Sequence, residues 1–170
     1  MTIGITYKVQ PQPPEEANTR WIDAGALRLG VEWRDVDPAS LAETYASDPE
    51  GMAEIEELSP EGGFHDTGVS LHVVDASDGH EYLRFDCFDE EPHYHYVAPS
   101  GDSNRVVAFD TVAGGDMVTW AVERLSTRLP EMLAAAGAEA LAARIDRAAL
   151  ASAVAELDRL AREVRAGSRG

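Results

Sequence analysis

The sequence predicts an α+β fold, an antiparallel sheet of about five to seven strands with helices, mainly C-terminal, packed on one face. Three observations carry this. Residues 69–109 divide into short segments of alternating polarity separated by turn residues. From Asp116 onward the apolar residues recur at helical spacing instead. Nearer the N-terminus, two Asp-Pro pairs have the form of helix starts.

The elements follow in order. Ile3, Ile5, Tyr7 and Val9 alternate with polar or small residues, as in a half-buried strand, and Pro11, Pro13 and Pro14 end it. Trp21 to Trp33 reads as one or two strands around Gly25 and Gly30, with Leu27, Leu29, Val31 and Trp33 on one face. Asp37-Pro38 and Asp48-Pro49 each place a capping carboxylate before a proline that suits the first helical position. The two helices should run to Ala46 and Leu58. A meander follows at Val69–Val74, Glu81–Phe88, His93–Ala98 and Arg105–Phe109. Asp116 caps the next helix, Pro130 restarts it, and Gly137 ends it. The last helix carries a stripe of Leu150, Ala153, Val154, Leu157, Leu160, Ala161 and Val164. That stripe should dock on the sheet or the preceding helix, with a homodimer seam as the alternative. The whole chain, 1–170, reads as one domain, with a sheet core over 64–110 and a helical part over 116–166.

Charge and composition exclude several function classes. The formal net charge is −17, and the acid excess lies entirely before residue 116, because 116–170 holds 8 acids and 8 bases. Such a surface repels nucleic acid and anionic membranes, and leaves a small molecule or a cationic protein as conceivable partners. No apolar run is long enough to span a bilayer, and no signal peptide is readable, so a cytoplasmic location is expected. The single cysteine, Cys87, has no partner for an internal disulfide and reads as buried. No phosphate-binding loop, dinucleotide fingerprint, paired-cysteine zinc motif or calcium loop is present.

Chemistry concentrates in the meander. In 81–88, Leu83, Phe85 and Cys87 point to the core while Tyr82, Arg84, Asp86 and Phe88 point away. A four-residue loop Asp89–Pro92 would set Phe88 opposite His93 and Asp86 opposite His95, sending Tyr94 and Tyr96 to the core. A three-residue turn Ser77–Gly79 pairs Ala76 with His80 and sends Val69, Leu71 and Val73 to the core as well. Ser70, His72, Arg84, Asp86, His93 and His95 then share the other face, with opposed side chains about 5 Å apart. His65 and His80 fall in loops.

Four readings of this face are open. His93, His95 and Asp86, with His72 as a further ligand or supporting partner, could hold a divalent transition metal. Without metal, Asp86 could orient His95 for proton transfer, with Arg84 beside them as a third catalytic residue. A Ser70–Asp86–His95 nucleophile triad lacks the sharp turn such a serine needs. Ordinary cross-strand polar pairs on an outer face would need no chemistry at all.

The run Arg84-Phe85-Asp86-Cys87-Phe88-Asp89 followed by Pro92-His93-Tyr94-His95-Tyr96 resembles small hypothetical proteins of high-GC bacteria that form a domain of unknown function. Gly115-Asp116 with Trp120, and Leu129-Pro130 with Met132-Leu133, belong to the same pattern, so the resemblance covers about 64–145. It implies a shared fold and no assigned activity. Two functions therefore stand at this point: a small metal-dependent or acid–base enzyme, or a non-catalytic binding or accessory protein that uses its acidic surface or its last helix.

Overall fold

A computed structural model describes residues 2–168. Seven strands form one antiparallel sheet: β1 (Ile5–Tyr7), β2 (Thr19–Ala24), β3 (Leu27–Val36), β4 (Asp66–Asp75), β5 (Glu81–Phe88), β6 (His93–Val97) and β7 (Asn104–Ala108). Their spatial order is β1-β7-β6-β5-β4-β3-β2. Consecutive strands from β2 to β7 are therefore neighbours, and the N-terminal strand closes the far edge beside β7. Between β3 and β4 lie α1 (Pro38–Thr44) and α2 (Pro49–Leu58). After the sheet come α3 (Thr111–Gly114), α4 (Met117–Thr127), α5 (Leu129–Ala135), α6 (Glu139–Ala142) and α7 (Arg147–Ser168).

The helix starts behave as their chemistry requires. The carboxylates of Asp37, Asp48 and Asp116 accept from Ser40, Gly51 and Thr119 backbone N–H groups, satisfying donors that the first turn leaves free. Pro130 sits in the first turn of α5 and restarts the helix, and Gly137 follows its end with a φ of 85°.

Leu27, Leu29 and Val31 of β3, Val69, Leu71 and Val73 of β4, and Leu83 and Phe85 of β5 make the apolar face and are fully buried. Leu150, Ala153, Val154, Leu157, Leu160 and Ala161 of α7 pack onto it, across β2, β3 and β4 and beside α4. Burying each large side chain of that stripe contributes about 1.5–3 kcal/mol. The exposed ion pairs along the outer side of α7, such as Arg159–Glu156 and Arg162–Asp158, are screened by solvent and contribute little. Packing on the sheet therefore holds this helix.

The second face of the sheet is covered too, which the sequence reading of an outer face did not foresee. The segment 8–15 lies against α1 and α2: Tyr45 Oη donates to the Gln10 carbonyl at 2.6 Å and Gln12 Nε2 donates to Thr44 Oγ1 at 2.8 Å. At the other end of this face, Trp21 lies 6.1 Å from the His72 ring. Trp21 is thus placed over the polar face. Gly30, its cross-strand partner, makes the space, since a Cβ there would sit 2.8 Å from the indole.

Gly30→Ala is expected to cost about 1–3 kcal/mol by overpacking. Urea unfolding reads this as a lower midpoint with unchanged slope; an unaltered midpoint would show that Trp21 moves aside freely.

Candidate functional site

The polar face gathers Glu32 and Arg34 from β3, Ser70 and His72 from β4, Glu81, Arg84 and Asp86 from β5, His93 and His95 from β6, and Asn104 from β7. His72 and Ser70 are wholly inaccessible, and Arg84 is 1% exposed. Two sub-networks divide the face.

In the first, His72 stands between two carboxylates. Its Nε2 lies 2.9 Å from Glu32 Oε1 and its Nδ1 touches Glu81 Oε2. Glu81 also accepts from Arg84 Nη2 at 2.6 Å. Both ring nitrogens face anionic oxygens, so both carry protons and the ring is an imidazolium. Burial alone would lower its pKa, but Glu81 and Glu32 outweigh burial and raise it. Burial would raise the pKa of Glu81, yet Arg84 and His72 pull it down to about 2.

In the second, Asp86 is the hub. His95 Nε2 lies 2.9 Å and His93 Nε2 3.3 Å from the same oxygen, Asp86 Oδ2. Ser70 Oγ donates to Asp86 Oδ1, and Arg34 Nη1 stands 3.6 Å away. The far edges of both rings are tied. His93 Nδ1–H donates to the Glu91 carbonyl at 2.7 Å, and His95 Nδ1–H donates to Asn104 Oδ1 at 2.9 Å. Asn104 is held in turn, its Nδ2 donating to the Val9 carbonyl at 2.8 Å. With Nδ1–H committed in each ring, both Nε2 atoms converge on one carboxylate, which they reach either through a proton or, as lone-pair donors, through a shared cation. Burial opposes charge at all three groups. It prevails at His95, whose pKa is lowered; at His93 the bond to Asp86 wins and raises it; at Asp86 the two imidazoles and Arg34 hold the carboxyl well below its ordinary range.

Register explains how these side chains meet. Ser70 opposes Asp86 and His72 opposes Arg84, as the turn chemistry predicts. Between β5 and β6 the expectation needs correcting. Asp86 opposes His93 and Arg84 opposes His95, a slip of two residues from the predicted pairing. Asp66, whose carboxylate accepts from the Glu90 and Glu91 N–H groups at 3.1 and 2.7 Å, holds the connection, in which residues 87–92 lie between the last paired residues in place of the predicted four-residue loop. A shift of two keeps every side chain on its face, so the site survives the correction. His95 now reaches Asp86 diagonally.

A second correction concerns Tyr82 and Glu81. The ladder shifts between Val73–Leu83 and Val74–Glu81, leaving Tyr82 as the extra residue of a β-bulge. Tyr82 turns to the apolar layer and Glu81 to the polar face, the reverse of strict alternation. His80 is half-buried, its Nε2 3.0 Å from the Ala98 carbonyl.

Of the residues singled out from sequence, Asp86, His93 and His95 come together and could hold a metal ion. His72 and Arg84 share their face but are engaged by Glu32 and Glu81. Sequence reasoning missed Glu32, Arg34, Glu81, Asn104 and Asp66. For Glu32 and Arg34 a signal existed, since apolar Leu27, Leu29 and Val31 leave the even positions of β3 to the opposite face.

Above the hub lies a cleft of about 740 Å³, floored by Arg34, Arg84, Asp86, His93, His95 and Asn104 and walled by residues of α1, α2, β1 and the loops around Phe64 and Pro92. Among the described residues no helix is long and apolar enough to cross a membrane.

The chain is thus an antiparallel sheet with one helix-covered face and one buried histidine–carboxylate face. The model of the family described as Domain of unknown function (DUF7700) matches residues 21–161, and the chain belongs to that family. The match reaches well beyond the 64–145 span of the motif resemblance. No curated protein and no solved structure matches the chain.

The His72 network sets a pH profile for stability. His72, with its raised pKa, contributes fully below its ordinary value of 6.5, and that contribution is lost as pH rises through the raised value. Glu81 contributes fully above its ordinary value of 4.5, and that contribution is lost as pH falls toward about 2. Glu81→Gln should cost about 3–5 kcal/mol by leaving buried cations without their anion. Urea midpoints measured across pH should also show a shallower acid limb for Glu81→Gln than for the unaltered protein.

Proposed function

We propose that the chain is a metal-dependent enzyme in which Asp86, His93 and His95 hold a divalent first-row metal on the floor of the cleft. The observation that carries this is the commitment of both Nδ1–H groups to oxygen acceptors. It leaves two Nε2 atoms and one carboxylate oxygen aimed at a common point, where a metal ion can take the place of the protons that otherwise join each ring to Asp86. The spacing suits a metal: ligands about 2.1 Å from one ion lie about 3.0 Å apart at a right angle and about 3.4 Å apart at the tetrahedral angle. The 3.3 Å distance falls in that interval, the 2.9 Å distance lies just below it, and all three donor atoms lie within 4.8 Å of one another.

Two imidazoles and one carboxylate favour iron, manganese, cobalt, nickel or zinc over magnesium or calcium. Three protein ligands leave coordination positions open, as in catalytic rather than structural sites. When bound, such an ion supplies Lewis acidity toward a substrate oxygen and an activated water. The chain's own groups do the rest. Asn104 and the Glu91 carbonyl fix the two rings, Ser70 and Arg34 orient the carboxylate, and the cover of segment 8–15 with α1 and α2 limits access of water to the floor.

Protein purified without an affinity tag and equilibrated with each metal should hold about one equivalent by elemental analysis after desalting. His93→Ala and His95→Ala should lose it. Asn104→Ala, which frees only the far edge of His95, should weaken it about 10–100-fold. A chain that retains none of the metals, with both histidines intact, sinks the metal reading and leaves Asp86–His95 proton transfer as the chemistry of the site.

A further inference from the structure

The cleft carries information about what would meet the metal, and this inference rests on the metal reading above. We propose that the cleft takes an amphiphilic monoanion, a single carboxylate-like head on an apolar alkyl or aryl body, with the head on the metal and Arg34 and the body against α1 and α2.

Size and lining come first. A cavity of about 740 Å³ is of small-molecule dimensions. Its walls are largely apolar, with Val36, Leu41, Ile55, Phe64, Phe88 and Phe109 among them, while its cationic groups lie on the floor and two glutamates stand at the rim. A ligand that desolvates these walls needs an apolar body, and one that reaches the floor needs a polar end.

Charge fixes the sign of that end. Glu32, Glu81 and Asp86 carry three negative charges, and Arg34, Arg84 and the His72 imidazolium carry three positive ones. With His93 and His95 neutral as metal ligands, these six charges balance. A divalent ion therefore adds two positive charges that no protein group offsets, and a buried excess of that kind calls for an anion. Arg34 supplies a second, independent pointer. Among the described residues its side chain makes one hydrogen bond, Nη2 to Gln12 Oε1 at 2.6 Å. Its approaches to Glu32 and Asp86, at 3.7 and 3.6 Å, are too long for hydrogen bonds. A guanidinium that lines the cleft and is 7% exposed thus keeps donors for an oxygen ligand.

The rim sets the magnitude. Glu90 and Glu91 stand at the cleft and the chain carries a net charge of −17, so a polyanion such as a nucleotide is repelled where a single charge is tolerated.

The test uses the full chain, cobalt(II) as metal and the straight-chain carboxylates from butanoate to octanoate as probes, followed by calorimetry and by the visible cobalt spectrum. Affinity should rise about fourfold per added methylene. Octanoate should shift the cobalt bands, and it should bind about tenfold or more tighter to the cobalt-loaded than to the metal-free chain. Leu41→Glu, which sets a like charge in the wall, should weaken octanoate by about tenfold or more while cobalt binding is unchanged. Ile55→Ala should reduce the gain per methylene and leave the head-group shift of the spectrum in place. If cobalt binds but octanoate binds no tighter than butanoate, or neither wall variant alters it, the ligand class is wrong and the metal reading stands. If cobalt does not bind, chain-length dependence on the metal-free protein with sensitivity to Leu41→Glu still supports the ligand class, and its absence overturns both.

Discussion

Charges buried between a sheet and its cover must be matched one against another, and most of this molecule is arranged to meet that condition. An unpaired buried ion costs several kcal/mol, a large share of the stability of a protein of this size. Here the pairs run across strands. Glu32 on β3 and Glu81 on β5 bracket His72 on β4, and Arg84 closes the set by bonding Glu81. The three central strands are consequently tied by ion pairs on one face and by apolar packing on the other. A register error in any of them would strand a charge as well as expose a leucine.

The same pairing separates the face into two parts. His72 has both nitrogens engaged by carboxylates and no access to solvent, so it serves cohesion. His93 and His95 turn their outer nitrogens to neutral oxygen acceptors and their inner ones to Asp86 at the cleft floor. His72 thus differs from His93 and His95 in what faces its ring nitrogens: two carboxylates in one case, one shared carboxylate in the other.

Much of the fold was legible because it depends on local chemistry. Strand alternation located the core residues of β3, β4 and β5, and the capping aspartates located α1, α2 and α4. Parity put Asp86, His93 and His95 on one face, and parity is robust to a two-residue slip. What was not legible depends on contacts distant in sequence. The turn after β5 is held by Asp66, more than twenty residues earlier, and nothing in Asp89–Pro92 announces it. Glu81 was hidden by the bulge at Tyr82, because a bulge inverts parity and leaves no distinctive residue to mark it. The cover over the polar face was hidden because the strand-like alternation of 3–9 extends past the short β1 that forms, and residues 8–15 become a strap instead.

That strap lies outside the stretch that defines the family. Val9, Gln10, Gln12 and Glu15 precede residue 21, whereas the sheet, the carboxylate hub and both of its histidines fall within 21–161. The polar floor and the α1 and α2 walls therefore lie within the matched stretch, while the strap that bridges them, residues 8–15, precedes it. A change confined to those eight residues would alter the cover over the floor and leave its donor atoms in place.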